Sequence, residues 1–236
     1  PADIAFPNAT SGYIAFSNKD MVGIIDLTQL PTGDQERIFI STIPVGKHPS
    51  SITALNNKIL TANTNDNTVS VIDSRTNEVT KTIQVHTAPL FIRTDADGAE
   101  AIVVSAGAGK LETDEVTTPA KAQFIDGDLL EVGRSYTLYG LPADSLLAIP
   151  AGLVISQDEF AFIPLQTALI TVNTRKNQAS MRSLERKHYH SIALNRTRNE
   201  VLVLDSASNK VTIFNGRGGR SGTLTMPVPT TLLMPQ

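Results

Sequence analysis

The chain has 236 residues, which is long enough for one large all-β domain or two small ones with a proper hydrophobic core. Its 20 basic and 23 acidic residues give a net charge of -3 with no long block of either sign, which argues against nucleic acid as a partner. The absence of cysteine excludes disulfides, thiolate metal sites and a cysteine nucleophile. No run of about 18 apolar residues is present, so no membrane span is expected.

The first residues, PADIAF, contain neither the basic nor the apolar region of a signal peptide. They are compatible with the start of a mature exported protein, and so is the lack of cysteine. We therefore expect a monomeric protein located in the periplasm or outside the cell.

The first predicted unit covers residues 3–45. It begins with the strand DIAF, continues through a turn and a strand ending at Asn18, and is completed by DMVGIIDL, a polar loop and a last strand. This order predicts four antiparallel strands joined as a meander.

The second predicted unit, residues 50–85, shows the pattern most clearly. In TVSVID, Val69 and Val71 fall on one face of the strand while Ser70 and Ile72 fall on the other. Asparagine and aspartate cluster at both turns, where their side chains bond the local backbone and tolerate positive φ. The β-branched content indicates strands rather than helices.

The same pattern of four strands joined by turns recurs to the end of the chain. Its spacing is about 40 to 50 residues, the period of propeller blades. The remaining predicted units cover residues 90–139, 146–185 and 190–228, followed by a closing strand at 229–236. The third unit is interrupted by AGAGKLETDEVTTP, which we expect to be a long, irregular, acidic loop.

Residues 61–85, TANTNDNTVSVIDSRTNEVTKTIQV, resemble the repeat of the YVTN-type β-propeller family. Asn63 ends the second strand, NTVSVID forms the third and TIQV closes the fourth, while VLVLDSASNKVTIFN and DADGAEAIVVSA show the same features further on. The resemblance implies an all-β propeller of four-stranded blades. It leaves the activity open, because this family includes surface proteins, binding proteins and, among relatives, lyases and lactonases.

We expect a single domain, residues 1–236, that closes as five blades. The alternative is an arc belonging to a ring of six or seven blades. Closure at five is preferred because an open arc would leave apolar strand faces and unpaired edges in water.

All four histidines fall in loops that enter predicted inner strands: His48, His86, His188 and His190. His48 and His188 share a register, each directly after a lysine. A ring would bring these loops toward one axis, where imidazoles can bind zinc or copper with an open position. The alternative is that they are ordinary loop histidines bonded to the backbone.

We therefore predict a non-enzymatic binding protein whose site lies at the mouth of the channel, with a metal ion or a protein as its partner. A protein-interaction scaffold or surface protein without a small ligand is the second hypothesis. A lyase or lactonase is the third, in which a histidine acts as the base beside Asp3, Arg93 and Asp144.

The sequence DADG at 95–98 has the look of part of a calcium loop. No glutamate follows it at the spacing that such a loop requires, and the segment lies between two predicted strands. A hairpin turn is therefore favoured.

Overall fold

A computed structural model describes residues 1–110, 115–138, 150–165, 168–176, 178–183, 189–205 and 208–226. These residues form five four-stranded antiparallel sheets and one two-stranded hairpin. The all-β class and the four-stranded antiparallel unit are thereby confirmed. Among the described residues, no helix is long and apolar enough to cross a membrane.

The sheets follow one another along the chain. Sheet 1 contains β1 (Asp3–Ala5), β2 (Ser11–Phe16), β3 (Met21–Asp26) and β4 (Phe39–Pro44). Sheet 2 contains β5 (Pro49–Leu55), β6 (Lys58–Asn63), β7 (Thr68–Asp73) and β8 (Glu78–Gln84). Sheet 3 contains β9 (Pro89–Thr94), β10 (Glu100–Ser105), β13 (Lys121–Asp126) and β14 (Val132–Thr137), with the hairpin β11 (Ala108–Lys110) and β12 (Glu115–Thr118) inserted between its second and third strands.

The last two sheets have the same order. Sheet 4 contains β15 (Val154–Ile155), β16 (Phe160–Pro164), β17 (Ala168–Asn173) and β18 (Gln178–Ser183). Sheet 5 contains β19 (Tyr189–Asn195), β20 (Glu200–Asp205), β21 (Lys210–Asn215) and β22 (Arg220–Thr225). In the part of the chain that the structure describes, helical structure is limited to the 3-10 segments Ser17–Lys19 and Leu27–Thr32 and the single turn α1 (Gln35–Ile38), all in the first unit.

Asparagine shapes many of the turns that join these strands. It adopts positive φ in five of the described turns, at Asn56, Asn67, Asn77, Asn199 and Asn209. Its short polar side chain makes this left-handed backbone tolerable, which explains the asparagine clusters between the strand patterns.

The sheets pack face to face in chain order, and the first strand of each sheet is the inner strand. Strand β1 contacts β5, β5 contacts β9, β9 contacts β15, and β15 contacts β19. Four apolar clusters fill the spaces between successive sheets, with residues such as Ile24, Leu60, Phe124 and Phe162 almost completely buried. Burial of each such side chain contributes about 1.5–3 kcal/mol.

The sheets do not close into a ring. Among the described residues, no contact comparable to those between successive sheets joins sheet 5 back to sheet 1. The apolar faces that closure was expected to cover are therefore exposed at both ends of the arc. The predicted closing strand 229–236 and the predicted start of the fourth unit, residues 146–149, lie outside the described residues.

The insertion in the third unit is more regular than its sequence indicates. Strands β11 and β12 pair with each other and form a separate two-stranded sheet. Gly107 opens the hairpin at φ 77, with its Cα so near the Thr118 carbonyl that a Cβ would lie 2.1 Å from that oxygen. The expectation of an irregular loop was wrong for these strands, because a small, polar sequence conceals the pairing.

Candidate functional site at the ends of the inner strands

Two histidine-bearing loops are described in full, and the inner strands begin directly after them. His48 has φ 56 and precedes Pro49, and Ala88 has φ 54 and precedes Pro89 in the next loop. His86 lies two residues before Ala88, so the two histidines occupy different positions in equivalent loops. His188 lies outside the described residues, and so does the side chain of His190.

The ring of His86 is already engaged through one nitrogen. Its Nε2 lies 2.7 Å from the carbonyl oxygen of Pro119, and its backbone N–H donates to the Gln123 side chain. At His48, the backbone N–H donates to Asp20 Oδ1 at 2.9 Å. The four-histidine metal site stays a prediction.

A cavity of about 540 Å³, here called the hub cavity, lies where the inner strands of sheets 1, 2 and 3 end. Its wall contains Asp3–Phe6, Ile52–Ala54 and Arg93–Gly98, with Arg196 from the turn after β19. The loops that carry His48 and His86 lead into the first residues of β5 and β9, whereas the hub cavity lies at the last residues of these strands. The described cavity is therefore at the other end of the inner strands from the predicted mouth.

Asp3 connects three sheets at the wall of this cavity. Its Oδ2 accepts hydrogen bonds from Ser51 Oγ at 2.8 Å and from the Ile52 backbone N–H at 3.0 Å. Arg93 Nη1 lies 2.8 Å from the same oxygen and 2.9 Å from Ser51 Oγ. The structure thus brings together two residues of the predicted enzyme site, Asp3 and Arg93, while Asp144 lies outside the described residues.

Three carboxylates converge beside the hub cavity. One oxygen each of Asp95, Asp97 and Glu159 lie within 4.8 Å of one another. The two aspartates belong to the turn between β9 and β10, whereas Glu159 comes from the turn between β15 and β16. This carboxylate cluster therefore bridges sheets 3 and 4.

Hydrogen bonds and one guanidinium fix the cluster. The Glu100 backbone N–H donates to Asp95 Oδ1 at 3.0 Å, and Thr174 Oγ1 lies 3.1 Å from Glu159 Oε2. Arg175 Nη2 lies 3.3 Å from an Asp97 oxygen and 3.5 Å from a Glu159 oxygen. Arg175 thus offsets part of the negative charge.

The pKa values of the two aspartates are shifted in opposite directions. Burial above all, and then the hydrogen bond to Asp97 and the charges of Asp97 and Glu159, raise the pKa of Asp95 to about 6. The hydrogen bond from Asp95, with a further contribution from the Arg175 guanidinium, lowers the pKa of Asp97. At neutral pH the cluster offers several carboxylate oxygens, the ligand type that suits Ca²⁺, Mg²⁺ or Mn²⁺ better than zinc or copper.

The sequence segment 95–98 shows only two of the three carboxylates of this cluster. The hairpin turn at 95–98 is present as expected, with Gly98 at φ 74 and its N–H 3.4 Å from the Asp95 carbonyl. The third carboxylate, Glu159, is supplied by the neighbouring sheet and not by the same loop. A comparison of the turns after successive inner strands, TDADG and SQDE, was the signal that could have found it.

Comparisons with known proteins give a structural likeness alone. No family model matches the chain, and no curated protein matches it. Among solved structures, Kuenenia stuttgartiensis hydrazine synthase is similar with a TM-score of 0.75 and 17% sequence identity. The similarity covers 97% of this chain and 66% of that one, so this chain spans somewhat less than two thirds of its neighbour. At this identity the likeness concerns the fold only.

Proposed function

We propose that the five sheets are blades of a YVTN-type β-propeller and that the chain is a non-enzymatic binding protein. The face-to-face order of four-stranded sheets and the structural likeness over 97% of the chain support the propeller interpretation. The hub cavity, at the point where the inner strands end, supports the binding function.

The observation that carries the binding function is the polar wall of the hub cavity. Arg93 is held in place by Asp3 and Ser51, so its position is set before any ligand enters. Arg196 is exposed at the rim, and no carboxylate in the described part of the chain forms an ion pair with it. A small polar molecule with an acidic group fits this arrangement, because Arg196 would pair with that group.

Isoleucine methyl NMR tests this proposal directly. Ile4 and Ile52 line the cavity, whereas Ile163 is buried in the core between sheets 3 and 4 and serves as the internal control. A set of small carboxylic acids is titrated into the labelled protein. We expect at least one of them to shift the Ile4 and Ile52 signals while the Ile163 signal stays in place.

The matched variant is Arg196→Gln, which keeps most of the side chain but removes the charge. We expect it to weaken binding about tenfold or more, the loss that corresponds to one charge-assisted hydrogen bond. Absence of any cavity-specific shift, or equal affinity in the variant, would contradict the proposal.

The histidine-bound zinc or copper site remains a second candidate, favoured by one contact. When His86 donates through Nε2 to the Pro119 carbonyl, its Nδ1 carries the free lone pair that a metal needs. Metal analysis of untagged protein tests this idea, with His48→Ala combined with His188→Ala as the variant. Lack of stoichiometric metal would contradict it. The scaffold, lyase and lactonase interpretations also stay predictions.

A further inference from the structure

The first sheet of the arc has an apolar face that is not covered by any other sheet of the described residues. This face is here called face 1. It is formed by Phe6, which follows β1, and by alternate residues of β1 to β4: Ile4, Ile14, Phe16, Ile25 and Phe39. Phe6 is 54% exposed, Phe39 43% and Ile4 41%, and the other three are half-buried. None of these six residues is charged, although face 1 is exposed to solvent.

The opposite side of the same strands shows what a covered face looks like. Tyr13, Ala15, Val22 and Ile24 point toward sheet 2, and each is at most 2% exposed. Alternation therefore places apolar residues on both sides of sheet 1. A sheet with one solvated side carries polar residues there, whereas apolar residues on both sides are typical of a sheet buried between two layers.

Glycine makes face 1 flat enough for packing. A Cβ on Gly23 would lie 2.6 Å from the Phe16 ring and 3.0 Å from the Phe39 ring, so both rings lie over the glycine. A Cβ on Gly12 would lie 2.8 Å from Ile25 and 3.2 Å from Phe6. The aromatic rings thus lie down on the sheet and form a continuous platform.

The fifth sheet ends the arc with a face of the same kind. The apolar part of this face, here called face 5, consists of alternate residues of β19 to β22: Ala193, Leu202, Leu204, Val211, Ile213 and Leu224. Ser191, Glu200 and Asn215 lie on the same side of the sheet. Leu224 is 51% exposed and Leu204 37%. The other side of sheet 5 is covered by sheet 4, and there Val201, Val203 and Phe214 are at most 1% exposed.

The four interfaces inside the arc indicate what kind of partner these faces take. Each joins one side of a four-stranded sheet to a side of the next, through alternate apolar residues on the inner and middle strands. Faces 1 and 5 continue this series with the same strands and the same spacing. A monomeric soluble protein rarely exposes two such surfaces.

We propose that faces 1 and 5 are the two ends of an incomplete ring and that further antiparallel β-sheets, supplied by polypeptide outside these 236 residues, pack between them. The partner is defined by its chemistry: a four-stranded sheet with apolar residues on both sides. A second copy of this chain is a poor fit, because two five-sheet arcs joined in this way would need a ring of ten sheets, beyond the usual four to eight blades.

Site-specific labelling tests this proposal, and the lack of native cysteine makes each introduced thiol unique. Phe39→Cys probes face 1 and Leu224→Cys probes face 5. Glu78→Cys is the matched control, since it also lies on a fourth strand and is exposed but belongs to neither face. Each substitution is introduced into the protein as its natural source produces it, with its natural length and partners. The rate of maleimide labelling is then measured for each variant.

We expect the thiols on faces 1 and 5 to react at least tenfold more slowly than the control, with no change on dilution. A benzophenone maleimide attached to each thiol should then crosslink to peptides that lie outside these 236 residues and have alternating apolar sequences. Labelling as fast as the control would overturn the proposal. Crosslinks between identical positions of two copies, lost on dilution, would overturn it in favour of self-association.

Discussion

At the scale of single residues, the carboxyl of Asp95 gives stability an unusual dependence on pH. It is only 9% exposed, and its pKa of about 6 lies above the ordinary value for aspartate, about 3.9. The folded state therefore binds this proton more tightly than the unfolded state does. The resulting stabilisation is complete below about pH 4 and is lost as pH rises through 6.

Asp95→Asn should remove this pH dependence. The amide keeps an oxygen for the Glu100 N–H and can donate to Asp97, as the protonated acid does. Relative to the original protein, we expect the variant to gain roughly 1–2 kcal/mol in free energy of unfolding between pH 4 and pH 7. Urea unfolding at the two pH values measures this gain, and a difference that does not change with pH would contradict the assignment.

Asp126→Asn is the control, because the pKa of Asp126 is shifted in the opposite direction and its effect on stability has the opposite dependence on pH. Hydrogen bonds from the backbone N–H groups of Leu129 and Asp128 lower the pKa of Asp126, so its stabilisation is present above the ordinary pKa and is lost in acid. We expect this variant to be less stable than the original protein at pH 7, with the deficit shrinking as pH falls below 4. The same urea experiment distinguishes the two aspartates.

At the scale of elements, β1 is a strand of three residues that depends on one side chain. Asp3 accepts hydrogen bonds from sheet 2 and from Arg93 of sheet 3. Asp3→Ala would leave the Ile52 N–H without its partner, at a cost of about 2–3 kcal/mol. Arg93→Met should cost about 1 kcal/mol, because Asp3 keeps its other bonds. Denaturant unfolding of both variants tests this order, and equal costs would contradict it.

The hairpin β11–β12 depends in the same way on the residue that opens it. Gly107→Ala forces a Cβ against the Thr118 carbonyl in a left-handed backbone, so we expect a loss of about 2 kcal/mol or more. Gly133→Ala, in β14 of sheet 3, is the control, because the nearest neighbour of its Cβ would be 3.9 Å away. Its free energy of unfolding should stay within about 0.5 kcal/mol of the original. Thermal unfolding compares the two, and equal losses would show that the close approach at Gly107 has no energetic importance.

The elements also show how far sequence reasoning reaches. Alternation in TVSVID and the asparagine turns predict β7 and its neighbours, because strand period and turn chemistry are local properties. Local patterns do not specify which turn of one sheet lies beside which turn of the next sheet. The contact of Asp97 with Glu159 was therefore missed, and the hub cavity appeared at the ends of the inner strands instead of their beginnings.

At the scale of the whole molecule, an arc has ends that a closed ring lacks. Within the described residues, sheets 2, 3 and 4 are covered on both sides, whereas sheets 1 and 5 are covered on one. In the 236-residue chain alone, we expect amide hydrogen exchange to be slowest in β6, β7 and β10 and faster in β3 and β20. Exchange that is equally slow in all five sheets would indicate closure and contradict the open arc.

The order in which the sheets pack has an evolutionary consequence. Each sheet makes its extensive contacts with the sheet that precedes it and the sheet that follows it. Duplication or loss of one gene segment of about 40 codons at either end would therefore lengthen or shorten the array without changing any interior contact. Descendants of one ancestor can thus differ in the number of units while each retained unit keeps its neighbours.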